Sequence, residues 1–271
     1  MLSAAACRSF GRVGLGGTGR FWPREHGAYA ELLFPIASGL LLGRPGFVAF
    51  ALAFAAVLLF LANEPLLVMR GHRGARLREE LGTAARRHFG LLMTVAALCG
   101  TAALYFASSS ARLLALVPAA LGALLLPLVV AKRLKSLGGE LIAVAAFASL
   151  HLPLGAASGL DGPALWGPPI VWFASFAAGT FAVHAIKARQ QHRDPGMVRA
   201  ATALSIVLAM AAAGIAIARP DLRWLGVAVL VPCAAAMAVN FMPIRTKVLK
   251  TLGWSLVAAN LVALVVLTFA Y

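Results

Sequence analysis

The apolar residues of this chain come in blocks of about 20, the length at which a helix crosses the hydrocarbon core of a bilayer. Nine such blocks stand near 27–43, 46–66, 89–107, 113–131, 137–157, 166–186, 198–218, 224–242 and 252–271. Each predicts a transmembrane helix. Two connections are long and polar, Arg70 to His88 and Lys187 to Met197. The others are short turns such as Gly43-Arg44-Pro45-Gly46, Ser108-Ser109-Ser110 and Arg219-Pro220-Asp221. Pro35, Pro118, Pro127, Pro153 and Pro232 fall inside blocks, where neighbouring helices can satisfy the carbonyls they free. Runs of small residues, Ala143 to Ala148 and Ala209 to Gly214, predict close helix packing without a hydrophobic drive between helices.

Charge tests the count independently. With the N-terminus in the cytoplasm, 20 of the 24 Lys and Arg residues fall on the inner side. Only Arg44, Arg112, Arg219 and Arg223 fall outside, the bias that orients membrane proteins. One missed or invented helix scrambles this alternation. The expected topology is therefore nine spans, N-terminus inside and C-terminus outside. Residues 1–20 lack the apolar core of a secretory signal and read as a disordered cytoplasmic tail or an early start. Residues 21–271 read as a single transmembrane domain.

Composition agrees. Of 271 residues, 61% are hydrophobic and 12% charged, with a mean hydropathy of +0.88. Soluble domains carry about 25% charged residues, so this chain cannot cover a water-facing surface. The net charge of +15 is spread between apolar blocks and forms no basic domain. It sets topology, and nucleic acid is not an expected partner. Cys7, Cys99 and Cys233 are few and scattered, giving neither a disulfide framework nor a metal knuckle.

Charges near membrane depth are costly and therefore informative. Trp22 to Glu31 leads into the first span and carries Arg24, His26 and Glu31. Arg24 and the aromatics Trp22 and Tyr29 suit an interfacial anchor, while His26 and Glu31 are candidates to orient a substrate or take its proton. Asn63-Glu64-Pro65 closes the second span, followed by Arg70, His72, Arg73, Arg76 and Arg78. There Glu64 either serves chemistry or neutralises arginines one or two turns on. Lys132-Arg133-Leu134-Lys135 leads to Gly138-Gly139-Glu140, with His151 about three turns deeper. Glu140 and His151 are secondary candidates, His151 reading equally as an interhelical hydrogen-bonding group. His184 and Lys187 share a helical face, followed by Arg189, and Arg245 and Lys247 follow Met242-Pro243. These groups predict an electropositive cytoplasmic rim over an apolar bundle. Arg24, Asn63, Lys132, His184, Lys187 and Arg189 would bind the head group of an anionic amphiphile there.

Two resemblances follow. Pro23-Arg24-Glu25-His26-Gly27-Ala28-Tyr29, with Leu32-Leu33-Phe34-Pro35 and Gly39-Leu40-Leu41, resembles the opening of the YwiC-like family of bacterial membrane proteins. Arg245-Thr246-Lys247 with Leu252-Gly253-Trp254 resembles its close. The architecture, with long inner connections after spans two and six, is similar to the UbiA superfamily of membrane prenyltransferases. Asn63-Glu64 stands where that superfamily's first Asp-rich motif would begin, and Ala131-Lys132-Arg133 with Leu137-Gly138 resembles its step into the fifth helix. The resemblance implies a nine-helix UbiA-like bundle in a bacterial inner membrane and a lipid-like or polyprenyl diphosphate substrate. The Asp-rich metal motifs are missing, so no cofactor is expected beyond weak Mg²⁺ binding. Glu64, His26 and Glu31 would then be catalytic, with Lys132, Lys187 and Arg189 neutralising the diphosphate. A non-enzymatic carrier or permease for a small anion or proton, with Glu31, Glu140 and His151 along its path, is the alternative, and a scaffold for a membrane complex is a third.

Overall fold

The computed structural model describes residues 21–22, 26–191, 195–241 and 249–271. Among these residues ten α-helices run in chain order: α1 His26–Leu41, α2 Phe47–Met69, α3 Ala75–Phe106, α4 Ser109–Val130, α5 Leu137–Ser149, α6 His151–Ala157, α7 Gly162–Gln190, α8 Pro195–Ala218, α9 Arg223–Phe241 and α10 Leu249–Ala270. α5 and α6 are two halves of one span, Leu137–Ala157. Among the described residues, eight helical segments are long and apolar enough to cross a membrane, and the apolar part of α1, Gly27–Leu41, is shorter. The chain is an all-α, multi-pass membrane protein.

Three boundaries differ from the pattern reading, each for a local reason. The polar stretch before the third block is helical from Ala75 onward, so α3 runs 32 residues, about 48 Å at 1.5 Å per residue. Its polar turns are rich in Arg and Glu, good helix formers, so the hydropathy change marks the membrane boundary and not a helix start. The fifth block breaks at Leu150, three residues before Pro153, which cannot donate to the carbonyl four residues back. The sixth lengthens at both ends, starting on Gly162-Pro163 and continuing through Lys187 and Arg189.

α7 is the central helix. It packs against α1, α5, α6, α8 and α9, and its Val171, Trp172, Ala178, Ala182 and Ala185 are wholly buried. Ala228, Cys233 and Ala236 of α9 and Ala263 of α10 complete the same core. Small side chains let these backbones approach closely. One polar bond crosses that interface, Ser175 Oγ donating to Asn260 Oδ1 at 2.5 Å, while the Asn260 amide donates to Leu256. α3 rests on α2 and α4 on the α5–α6 span, and both present apolar side chains such as Leu98, Phe106, Leu113 and Leu126 outward, toward lipid.

The turns settle which helix ends share a side. The Arg44 N–H donates to Ser158, joining the α1–α2 and α6–α7 connections at one end. At the other end, the basic one, α2 and α4 close alike. His72 and Arg133 N–H groups bond back to Leu67 and Leu128, and Gly71 and Lys132 bond to Val68 and Val129. This is the Schellman pattern, whose penultimate residue takes positive φ. Gly71 does so at φ 71°, and Lys132 does so at φ 55°. A non-Gly residue there costs on the order of 1 kcal/mol.

The α4–α5 turn then folds back onto α5. Ser136 caps α5 by accepting from the Gly139 N–H. A Cβ on Gly139 would stand 2.6 Å from the Leu134 carbonyl oxygen and 2.8 Å from that of Arg133, whereas one on Gly138 meets nothing within 4 Å. Gly139→Ala is therefore expected to lower the melting temperature of the detergent-purified protein by several degrees, through about 1–3 kcal/mol of overpacking. Gly138→Ala should leave it unchanged or slightly raised, since Ala is the better helix former.

Candidate functional site

The basic end gathers the ends of α1, α2, α4, α5 and α7. On α2, Glu64 is buried at 2% exposure and is held by Arg73 from the following turn. Arg73 Nε donates to Oε1 at 2.8 Å and Nη2 to Oε2 at 2.6 Å, a two-pronged geometry that matches guanidinium to carboxylate. The turn makes this reach possible, because Gly71 reverses the chain and the Gly74 N–H bonds back to Gly71. A buried carboxylate without such a partner is not tolerated. Asn63 lies beside it, half-buried on the same helix end.

A second pair joins α5 to α7. His184 Nε2 lies 2.8 Å from Glu140 Oε2, both groups partly exposed. Lys187, one turn further along α7, is exposed, and Arg189 is half-buried. Lys132, exposed on the α4–α5 turn, is close enough to His72 to act on its titration. Burial first, and then Lys132, Arg70 and Arg73, hold the His72 imidazole below its ordinary range. Glu31 is half-buried on α1, next in the chain to Leu32, which with Ile36 and Phe60 forms an apolar wall. Arg24, Arg245 and Lys247 lie outside the described residues, as does the side chain of His26.

His151 belongs to a different place. It starts α6, fully buried, with Nε2 3.1 Å from the Ala164 carbonyl and Nδ1 2.9 Å from Ser38 Oγ. Nε2 faces only an acceptor and so carries the ring proton, leaving Nδ1 of the neutral ring to accept from Ser38. The Ser38 hydroxyl also lies 3.0 Å from the Pro35 carbonyl and accepts from Trp172 Nε1 at 2.9 Å. Phe34 and Phe176 stack on either side of Trp172. Every polar group of this node has a partner within it.

The structure thus brings Glu64, Asn63, Lys132, Glu140, His184, Lys187 and Arg189 to one end and sets His151 apart from them. Ser38 and Trp172 were not legible as polar partners, since their pairing spans 134 residues and neither breaks an apolar block. Asn240, buried at the basic end of α9, was also missed, and its amide has no hydrogen-bond partner among the described residues. An Asn within the last turn of an apolar block was the available signal.

The carboxylates at this end do not fit a divalent ion. Glu64 is taken by Arg73 and Glu140 by His184, and among the described residues no three His, Cys, Asp or Glu side chains stand together. Oxygen-ligated Mg²⁺ sites need free carboxylates.

Two outcomes check this geometry. Arg73→Ala leaves Glu64 buried without its partner and is expected to cost about 3 kcal/mol, the low end for such a pair because Arg73 is 23% exposed. Adding Glu64→Gln should recover much of that loss in the same thermal melts. In a ring-proton NMR titration, Lys132→Ala should raise the His72 pKa toward its ordinary value. Because folding favours the neutral His72 ring, its contribution is full above about pH 6.5 and shrinks as pH falls through that value.

Residues 22–154, just under half of the chain, match the family described as YwiC-like protein. No curated protein and no solved structure matches. The matched segment holds α1 to α5 and most of α6, and with them the Glu64–Arg73 pair, Lys132 and Glu140. Over that segment the chain is similar to the YwiC-like family.

Proposed function

We propose that this protein binds an amphiphile with an anionic head group at its basic end, facing the cytoplasm of a bacterial inner membrane, and acts on it as a metal-free, UbiA-like lipid or prenyl transferase. The observation that carries the reading is the one-sided convergence of charge. Glu64–Arg73, Glu140–His184, Lys132 and Lys187 all stand where α2, α4, α5 and α7 end. The paired groups form fixed walls. Lys132 and Lys187 supply exposed cations for a phosphate or diphosphate, a role of direct charge neutralisation. Asn63 and Glu31 sit at the apolar boundary, placed to orient an acceptor and take its proton. Tyr29, Phe60 and Phe147 line the apolar wall below, suited to a hydrocarbon tail.

Lys132 adds support. Its backbone sits in a conformation that glycine occupies at the equivalent turn of α2. Strain of this kind persists at functional sites, where the side chain matters more than local stability.

The carrier alternative requires titratable groups along a path through the membrane. His151 is the group at that depth, and its ring nitrogens are both engaged in the node with Ser38 and Ala164. That closed bonding supports the lipid-site reading over a proton or anion path.

The test is thermal stability in detergent against a panel of polyprenyl diphosphates, with Mg²⁺ and with EDTA. A ligand at 100 times its Kd stabilises by about 2.7 kcal/mol, a shift of several degrees. The shift is expected to survive EDTA. Lys132→Gly with Lys187→Ala should fold normally, because glycine relaxes the turn, and should lose the shift. Absence of a shift with every diphosphate would move the weight to the carrier.

A further inference from the structure

A second electropositive feature borders the α2–α3 turn that holds Arg73. Where α2 ends and α3 begins, a surface cleft of about 410 Å³ is lined by Arg70, Arg78, Arg86, Glu79, Gly82 and Thr83. Arg78, Gly82 and Arg86 recur every four residues and form one ridge of α3. The ridge beside it, Leu77, Leu81 and Ala85, packs on Val68 and Phe21 and fixes the rotation of the helix. Gly71 is required by its positive φ, and the Arg78 stem lies at ordinary contact distance from it, Cδ 3.5 Å from where a side chain at 71 would begin. None of the three guanidinium groups is in an ion pair or hydrogen bond among the described residues. Arg76, by contrast, faces away and is bound to Glu80. Three guanidinium groups against one carboxylate leave the cleft two charges positive.

Its depth is set by the sequence. The apolar part of α3 begins at Phe89, so Arg86 stands about one turn outside the hydrocarbon and Arg78 about 12 Å further out. The headgroup layer of a bilayer is on the order of 5–8 Å thick on each side. The cleft therefore begins in that layer at Arg86 and reaches past it into the water at Arg78. Trp22, exposed beside the Phe21–His88 stack that rests on the same helices, marks the same interfacial level.

We infer that the α2–α3 cleft is a binding site for a phosphate group, gripped by Arg70, Arg78 and Arg86 with the Thr83 hydroxyl as a neutral donor. Guanidinium pairs phosphate oxygens bidentately. The floor at Gly82 lets an oxygen approach the α3 backbone. The phosphate is that of an anionic phospholipid, given the depth, or a free phosphate from the cytoplasm. Residues of the α5–α7 rim take no part, so the site stands whether or not the transferase reading does.

The test compares the full chain in nanodiscs of pure phosphatidylcholine with nanodiscs containing phosphatidylglycerol. A second arm adds inorganic phosphate to the phosphatidylcholine nanodiscs, against chloride at equal ionic strength. Phosphatidylglycerol is expected to raise the melting temperature, and Arg78→Gln/Arg86→Gln should abolish the rise while melting normally in phosphatidylcholine. The loss corresponds to about tenfold or more in affinity, as for charge-assisted bonds. Arg76→Gln/Arg87→Gln removes the same charge from the same helix outside the cleft and should keep the rise. A rise with phosphate as well shows that the phosphate group suffices, and a rise with phosphate alone assigns the soluble source. No rise in either arm, or equal loss in both double variants, would overturn the site.

Discussion

Three side chains with no access to water hold the middle of this bundle together. Ser38 of α1, His151 of α6 and Trp172 of α7 bond to one another and to the carbonyl of Ala164. In hydrocarbon each unmet polar group costs several kcal/mol, so these helices must meet at this depth and rotation. The break between α5 and α6 is part of the arrangement, since it places His151 at the start of a new helix turned toward α1. Around the node, the stacked Phe34, Trp172 and Phe176 fill the space that alanine-lined helices leave.

With the middle fixed, the two ends are free to differ. The outer end is closed by short turns and a surface pair, Arg219 with Asp221. The basic end carries the buried Glu64–Arg73 pair, the Glu140–His184 bridge and a rim of exposed cations. A buried ion pair is weak support for stability, because desolvation offsets attraction. Glu64 and Arg73 are better understood as holding the α2–α3 turn in place, which in turn sets the angle at which α3 leaves the membrane.

The same backbone turn serves two purposes at that end. After α2 it carries Gly71, whose positive φ lets the chain turn back beside the α3 cleft that Arg70 and Arg78 line. After α4 it carries Lys132, exposed and with a positive φ, and Gly139 lets the turn fold down onto α5. One turn geometry thus sets basic groups at the ends of both α2 and α4.

Much of this was legible in the chain. Apolar block length and Lys/Arg alternation determine the spans and their connections, because backbone satisfaction in lipid admits only helices there. The clustering of Glu64, Glu140, His184 and Lys187 at one side follows from the same alternation. Hydropathy did not reveal that α3 begins at Ala75, because a helix does not end where the membrane does. Pairing was beyond it as well. Which arginine holds Glu64, that His184 meets Glu140, and that His151 closes a node with Ser38 and Trp172 depend on helix rotation and on contacts across 9, 44 and 113 residues. The order of residues decides how many helices cross the membrane; only their packing decides which faces meet.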